Sequence, residues 1–353
     1  MILGRLGRDL GRRYSIRGLT DELRKDGFSA YYKNVFDRIA ELRREGIVTI
    51  EKAGRSSLVS LDLSNCDTLI LLSEIELLGK RKLLEKDLEQ KMLVCELCSG
   101  IRERFCLVDS VSMIRPGRNK ALNRAEFLLI LRGDRGHMGE AKGIRRFLAG
   151  LGRAHNMSID SLILGAGELS DLVKENAHNP LKEMLSDKVV VYGQENFWLM
   201  IKELAGRGVA VGSSEEMNPA KISEKDLRYN LARFGYREMG GALEKGKEYC
   251  IETVIISLLL SADARRIEAI PAILAKNLGR ERKPVWSLLI FLGEKYGKEG
   301  KLLSLLKSLE EYSGKGGVRE AVSAMDDAGI RPERIDRKAV REKIELYDGN
   351  KRG

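Results

Sequence analysis

Residues 14–63, YSIRGLTDELRKDGFSAYYKNVFDRIAELRREGIVTIEKAGRSSLVSLDL, decide how the N-terminal end of this chain is read. Ser15 can cap a short helix, because its hydroxyl can accept a free N–H of the first turn. Ile16, Leu19 and Leu23 give that helix one apolar face. Gly27 stands where two helices need a turn. A second helix is predicted from about Ala30 to Glu45, with Tyr32, Val35, Phe36, Ile39 and Leu42 at helical spacing. Gly46 ends it, since a glycine just past a helix adopts the left-handed conformation without strain. Two alternating segments follow, Val48 and Ile50, then Val59, Leu61 and Leu63. Alternation at period two marks a half-buried strand. The tip between them, Lys52 to Ser56, is a basic hairpin.

This order resembles the winged helix-turn-helix domains of archaeal transcription regulators, over roughly the first 63 residues. The resemblance implies double-stranded DNA as a partner, with the second helix in the major groove and its outward residues on base edges and phosphates. With Val35, Ile39 and Leu42 turned inward, the opposite face carries Tyr31, Lys33, Asn34, Asp37 and Arg38. Arg and Lys can donate to guanine, and Asn can pair with adenine through two hydrogen bonds. Lys52 and Arg55 on the hairpin would meet phosphate. The candidate DNA-binding set is therefore Tyr31, Lys33, Asn34, Arg38, Lys52 and Arg55. Tyr32 is expected to pack inward, leaving only Tyr31 exposed. Residues 1–63 hold thirteen Lys or Arg against nine Asp or Glu, a net charge of +4, which is a bias and not a polybasic arm. The same unit could instead serve protein contacts or act as a scaffold.

At 353 residues the chain is long enough for two or three domains. Its net charge of +10 favours polyanionic partners without separating DNA from RNA. Charged residues make up 32% of the chain while only two glutamines occur, a composition seen in thermophiles. The first residues, MILGRLGRDLGRRY, interrupt their apolar positions with arginines and offer no signal-peptide cleavage site. No apolar run reaches the roughly 18 residues of a membrane span, so a cytoplasmic protein without membrane contact is expected. Five cysteines give no even framework, which suits a reducing compartment. Cys95 and Cys98 form a CxxC inside a helical pattern, but no second pair or suitably spaced histidine completes a zinc set. They are read as buried helical cysteines, and no metal site is expected.

The middle of the chain changes pattern. Strands are predicted at Phe105–Ile114, Glu126–Arg132, Ser158–Leu164 and Lys188–Tyr192, with helices at about Glu140–Ala154, Glu168–Asn176 and Pro180–Ser186. That order yields a small mixed sheet covered by helices. Residues 66–104, helical and charged, read as a linker leading into it.

The order strand, loop, strand, helix, strand over residues 105–207 resembles the minimal nucleotidyltransferase domains of the DNA polymerase β type. Ser112-Met113 falls on the family's Gly-Ser turn, Arg124-Ala125-Glu126 on its Asp-x-Asp, and Asp160 on its third acid; Asn179 to Gly193 is similar to the family's ending. The family's activity needs converging carboxylates that hold two Mg²⁺ ions across the reacting phosphate. Here Arg124 replaces an acid with a cation, so Glu126 and Asp160 are vestigial catalytic candidates, and the domain is expected to be inactive. Mg²⁺ enters as a cofactor only under the alternative of an active transferase of toxin–antitoxin type. The intervening loop is basic, with Arg115, Arg118, Lys120 and Arg124 and no acid between Asp109 and Glu126, and could bind phosphate.

Residues 206–221 read as a linker rich in Gly, Ser, Asn and Pro. Residues 222–313 give apolar helical faces at Ile251–Leu260, Ile267–Leu278, Val285–Tyr296 and Lys301–Tyr312, so a helical bundle is expected. A charged tail, 318–353, would add one or two exposed helices. The fold expected is thus multidomain α+β: residues 1–65, a small mixed-sheet unit at 105–207, and a C-terminal bundle. The function expected is DNA-binding regulation, with the middle domain taking a nucleotide ligand or a protein partner, and a homodimer, since winged helices often act as dimers. An active nucleotidyltransferase and a protein-interaction adaptor are the alternatives.

Overall fold

A computed structural model describes residues 1–54, 56–116, 123–133, 137–209, 216–236, 244–261, 263–279, 283–313 and 316–348, with backbone alone at 137, 138, 313, 316, 347 and 348. The chain is mixed α and β, mostly helical, with two small sheets. Among the described residues no helix is long and apolar enough to cross a membrane.

The N-terminal unit begins with a helix the sequence pattern did not announce, α1 (Ile2–Arg8), which buries Ile2 and Leu6 beneath its arginines. Strand β1 (Tyr14–Ser15) leads into α2 (Ile16–Lys25), where the Ser15 hydroxyl accepts from the Gly18 N–H at 3.0 Å as the capping argument requires. Gly27 turns the chain at a φ of +84°. Helix α3 (Tyr32–Arg44) buries Val35, Ile39 and Leu42, and Gly46 follows it at a φ of +73°. Strands β2 (Val48–Ala53) and β3 (Ser56–Leu61) pair antiparallel from Val48 with Leu61 to Ala53 with Ser56. The strand order is β1-β3-β2. Leu19, Leu23, Ile39 and Val59 are fully enclosed in its core, each worth roughly 1.5–3 kcal/mol of burial.

Helices α4 (Cys66–Lys86) and α5 (Leu88–Arg104) meet at Asp87, whose carboxylate caps α5 by accepting from the Glu89 and Gln90 N–H groups. Leu93, Val94, Leu97 and Ile101 of α5 pack under the second sheet. Cys98 lies half-buried and its thiol donates to the Val191 carbonyl at 3.4 Å, whereas Cys95, one turn earlier on α5, is exposed to solvent. The expectation of two buried cysteines therefore fails for Cys95: α5 buries its Val94–Leu97–Ile101 stripe, and Cys95 falls off it.

The second sheet runs β6-β5-β4-β7, from β4 (Val108–Ile114), β5 (Arg124–Leu131), β6 (Ser158–Gly165) and β7 (Lys188–Tyr192). β5 pairs antiparallel with β4 and parallel with β6, the parallel step being made through α6 (His137–Ala154). Side chains alternate across β5: Phe127, Leu129 and Leu131 join the α5/α6 side, while Leu128 and Ile130 join the larger core on the other face. α7 (Ala166–Lys174), α8 (Pro180–Ser186) and α9 (Gln194–Gly206) complete the layer.

The edge strand β7 is covered by α4. Glu76 accepts from the Val190 N–H at 3.1 Å and pairs with Lys188 at 3.3 Å, and the Lys80 ammonium donates to the Val191 carbonyl at 2.6 Å. Side chains of α4 thus satisfy backbone groups that an edge strand leaves open. Lys188, nearly sequestered, also sits over the rings of Phe197 and Trp198.

The C-terminal region packs on the other sheet face as α10 (Glu224–Arg233), α11 (Ile251–Leu260), α12 (Ala264–Glu268), α13 (Ile270–Asn277), α14 (Trp286–Lys295), α15 (Glu299–Ser313), α16 (Gly316–Asp327) and α17 (Arg337–Asp348). The helix expected at 267–278 is divided because Pro271, at the start of α13, suits a first turn and not an interior. The charged tail is not merely exposed. Val318, Ala321, Val322 and Met325 of α16, with Val340 and Ile344 of α17, are buried in the same core as the sheet.

Candidate functional site

The polar face of α3 presents Tyr31, Lys33, Asn34 and Arg38 to solvent, and Lys52 is exposed on β2; Arg55 lies outside the described residues. Tyr32, expected inward, is instead 50% exposed and stacks on Phe36, itself 48% exposed, with ring centroids 6.2 Å apart. The reason is the narrowness of the buried arc. Val35, Ile39 and Leu42 already fill the contact with α2 and the hairpin, so positions one turn apart on its flank remain outside. Phe28 and Tyr31, just before α3, are exposed as well. Arg38 is not a bare cation: it pairs with Glu41 one turn on at 2.7 Å, both well exposed. That bond holds the Arg38 guanidinium even more firmly protonated. The pair is cheap to exchange, since exposed ion pairs contribute about 0–1 kcal/mol.

The second set of candidates converges at one end of the middle sheet. The β5–β6 register puts Glu126 beside Asp160, and the β4–β5 register puts Ile114 opposite Glu126. Arg115 follows immediately in the left-handed region, φ +49°, its N–H donating to the Asp187 carbonyl at 2.8 Å. That geometry sends its side chain back to Glu126, which accepts two hydrogen bonds from Arg115 Nη2, at 3.0 and 2.9 Å. Lys295, from the end of α14, donates to the same carboxylate at 2.9 Å. Arg124 pairs with Asp160 and also donates to the Lys295 carbonyl at 3.2 Å. Arg115 additionally pairs with Glu216.

Sequence order therefore brought Arg115, Arg124, Glu126 and Asp160 together, but in a different chemical state from the one expected. Arg115 and Arg124, expected on a phosphate-binding loop, point into the domain and are engaged by carboxylates. Arg118 and Lys120 lie outside the described residues. Glu126 is only 3% exposed, and three cations, Arg115, Arg124 and Lys295, face three acids, Glu126, Asp160 and Glu216. Such a cluster does not fit the pair of Mg²⁺ ions that nucleotidyl transfer requires, because guanidinium and ammonium groups occupy the carboxylate oxygens a metal would need. Among the described residues no three His, Cys, Asp or Glu side chains converge as metal ligands.

Residues that sequence reasoning missed surround this cluster. Glu183, from α8, is buried, accepts from the Met217 N–H at 3.2 Å and lies 3.5 Å from His178 Nδ1. Burial raises its carboxyl to about 7. Burial likewise pushes the Tyr296 phenol up to about 12. Lys295 had no local signal: it arrives from 169 positions away in the chain. Glu216 sits in a segment whose composition reads as linker.

No family model, curated protein or solved structure matches this chain.

Proposed function

We propose that this chain is a DNA-binding regulator, with residues 1–65 a winged helix and residues 105–207 a nucleotidyltransferase-like domain that has lost its chemistry. The observation that carries the DNA reading is the pairing of α2 and α3 across Gly27, followed by a hairpin, with Tyr31, Lys33, Asn34 and Arg38 exposed beside Tyr32 and Phe36. A helix that offers hydrogen-bonding side chains to solvent beside a basic hairpin is what groove entry demands. The loss of chemistry rests on the engagement of Glu126 and Asp160 by this chain's own cations. The protein is placed in the cytoplasm in this reading.

Selection of bound sequences from a random duplex pool tests it, followed by affinity measurements across a salt series. Enrichment of a defined site with salt-dependent binding supports the reading; absence of binding to any duplex ends it. The adaptor reading keeps one specific observation in its favour: the exposed aromatics Phe28, Tyr31, Tyr32 and Phe36 are also what a protein interface uses. An active transferase would reveal itself by label transfer from nucleoside triphosphates, lost in Asp160→Ala.

A homodimer is part of the proposal. α4 exposes Ile70, Leu77 and Leu78, with Glu74 one turn before the two leucines and Arg81, paired with Glu85 at 2.7 Å, one turn after them. Laid antiparallel on a second copy about the Leu77–Leu78 step, each Glu74 meets the other chain's Arg81, the self-complementarity a two-fold interface needs. Sedimentation equilibrium of Leu77→Asp should then show a monomer where the unaltered chain is a dimer.

A further inference from the structure

Beside the β6 edge of the middle sheet, α6, α14 and α16 enclose a cleft of about 750 Å³. It is separate from the acidic cluster, since none of Glu126, Asp160, Arg115 or Arg124 lines it. Its volume falls in the range of small-molecule sites, roughly 300–1,000 Å³. The walls are chiefly apolar, with Leu148, Ile163, Ile290 and the indole of Trp286, and short side chains such as Ala149 and Ala324 keep them apart. Eight charged residues also line it, Lys142, Arg145, Arg146 and Arg319 against Glu168, Glu294, Glu320 and Asp327; among them Arg145 of α6 and Glu294 of α14 stand 3.5 Å apart. That separation is too long for a hydrogen bond. Arg145 Nη1 is shielded from solvent and makes none. A shielded guanidinium N–H without an acceptor is costly, and an acceptor supplied by a ligand would relieve it. Burial pushes the Glu294 carboxyl up, while Arg145 holds it down. Arg146, at the exposed rim, adds a second positive charge. The remaining cation of α6 that lines the cleft, Lys142, is already held by Asp327 at 2.6 Å.

We propose that this cleft binds a planar, amphipathic organic anion, an aromatic carboxylate or sulfonate, with its ring beside Trp286 and its anionic group on Arg145. The site goes beyond the DNA reading and stands without it. Because Glu294 precedes Lys295, the same helix end that meets the ligand also holds Glu126, so the cleft and the acidic cluster share one support.

Fluorescence titration of the full chain with anilinonaphthalene sulfonate, an aromatic anion, tests the proposal, with phenylnaphthylamine as the uncharged counterpart. One saturable site per chain is expected, about tenfold or more tighter for the sulfonate, the size of one charge-assisted hydrogen bond in a partly buried site. Arg145→Gln should remove that difference. Ser323→Trp, on the exposed face of α16 and so without demand on folding, should block both dyes. Energy transfer from the protein to the dye should fall in Trp286→Phe to the share that Trp198 supplies, at unchanged stoichiometry. Equal affinity for the two dyes, absence of a saturable site, or sulfonate binding untouched by both Arg145→Gln and Ser323→Trp overturns the proposal.

Discussion

Replacing Glu126 by alanine is the sharpest probe of the middle domain. The carboxylate accepts two hydrogen bonds from Arg115 and one from Lys295, and its residue is 3% exposed. Among the described residues, removing it leaves Arg115 with Glu216, whose side chain is 47% exposed and therefore screened, and leaves Lys295 with the Phe291 ring at 5.6 Å. Removal of one partner from a buried ion pair costs about 3–5 kcal/mol. Lys295→Met is milder, because Glu126 keeps both bonds from Arg115; the loss of one charge-assisted bond should cost about 1.5–3 kcal/mol at most. The double variant should cost less than the sum, with a coupling of about 0.5–3 kcal/mol, as groups in one network do. Urea unfolding of the three variants, followed by tryptophan emission and circular dichroism, measures all of this. If Glu126→Ala costs less than about 1 kcal/mol, or if the two losses simply add, the carboxylate is not held between cations and the argument for an inactivated site collapses.

Three further outcomes are expected. Arg38→Ala should alter sequence preference on duplex DNA, whereas Arg55→Ala and Lys52→Ala should weaken all sequences alike; each lost phosphate contact should reduce the log–log salt slope by about 0.9, as filter binding across a salt series will show. Burial holds Glu183 at about 7, against an ordinary 4.5, so the folded chain keeps a proton that the unfolded chain releases. Its stabilising contribution is therefore fully present below about pH 4.5 and is lost as pH rises through about 7; Glu183→Gln should flatten the fall in unfolding midpoint over that window, although Glu252, buried and also at about 7, contributes in the same sense. With a thiol reagent, the exposed Cys66, Cys95 and Cys106 should label first; Cys98, whose thiol burial pushes up, should label more slowly, and Cys250 only on unfolding. Mass spectrometry over time gives the order, and Cys95→Ala with Cys98→Ala should leave metal content unchanged.

The elements legible in the sequence are those whose physics is local. Ser15 as a cap, Gly27 and Gly46 as left-handed turns, and the alternation through Val48, Ile50 and Val59 each report on a few neighbours, and all appear as read. The strands of the middle sheet were legible from the same alternation, whereas their order in the sheet was not, and the nearness of Glu126 to Asp160 was expected only from the family resemblance. What failed depended on distant chain. Whether Tyr32 is inside depends on how much of α3 its neighbours cover, which periodicity does not state. The fate of Arg115 and Arg124 depended on Lys295 and Glu216, which nothing in residues 105–132 announces. The cleft beside β6 needed α14 and α16 to be placed, and the charged character of 318–353 hid the apolar stripe that places α16.

The way α4 lies along β7 has a consequence for cutting this protein into pieces. Its 21 residues span about 31 Å, and the stretch that leaves the hairpin is the same rod whose Glu76 and Lys80 occupy the backbone of the sheet's last strand. A fragment beginning at residue 105 would therefore expose a strand with its Val190 N–H and Val191 carbonyl unclaimed, a template on which other chains can add. Such a fragment should be sticky and prone to fibril-like association, while one beginning at residue 66 should stay in solution. The boundary that separates these behaviours falls between α4 and the hairpin, not between the helices and the sheet.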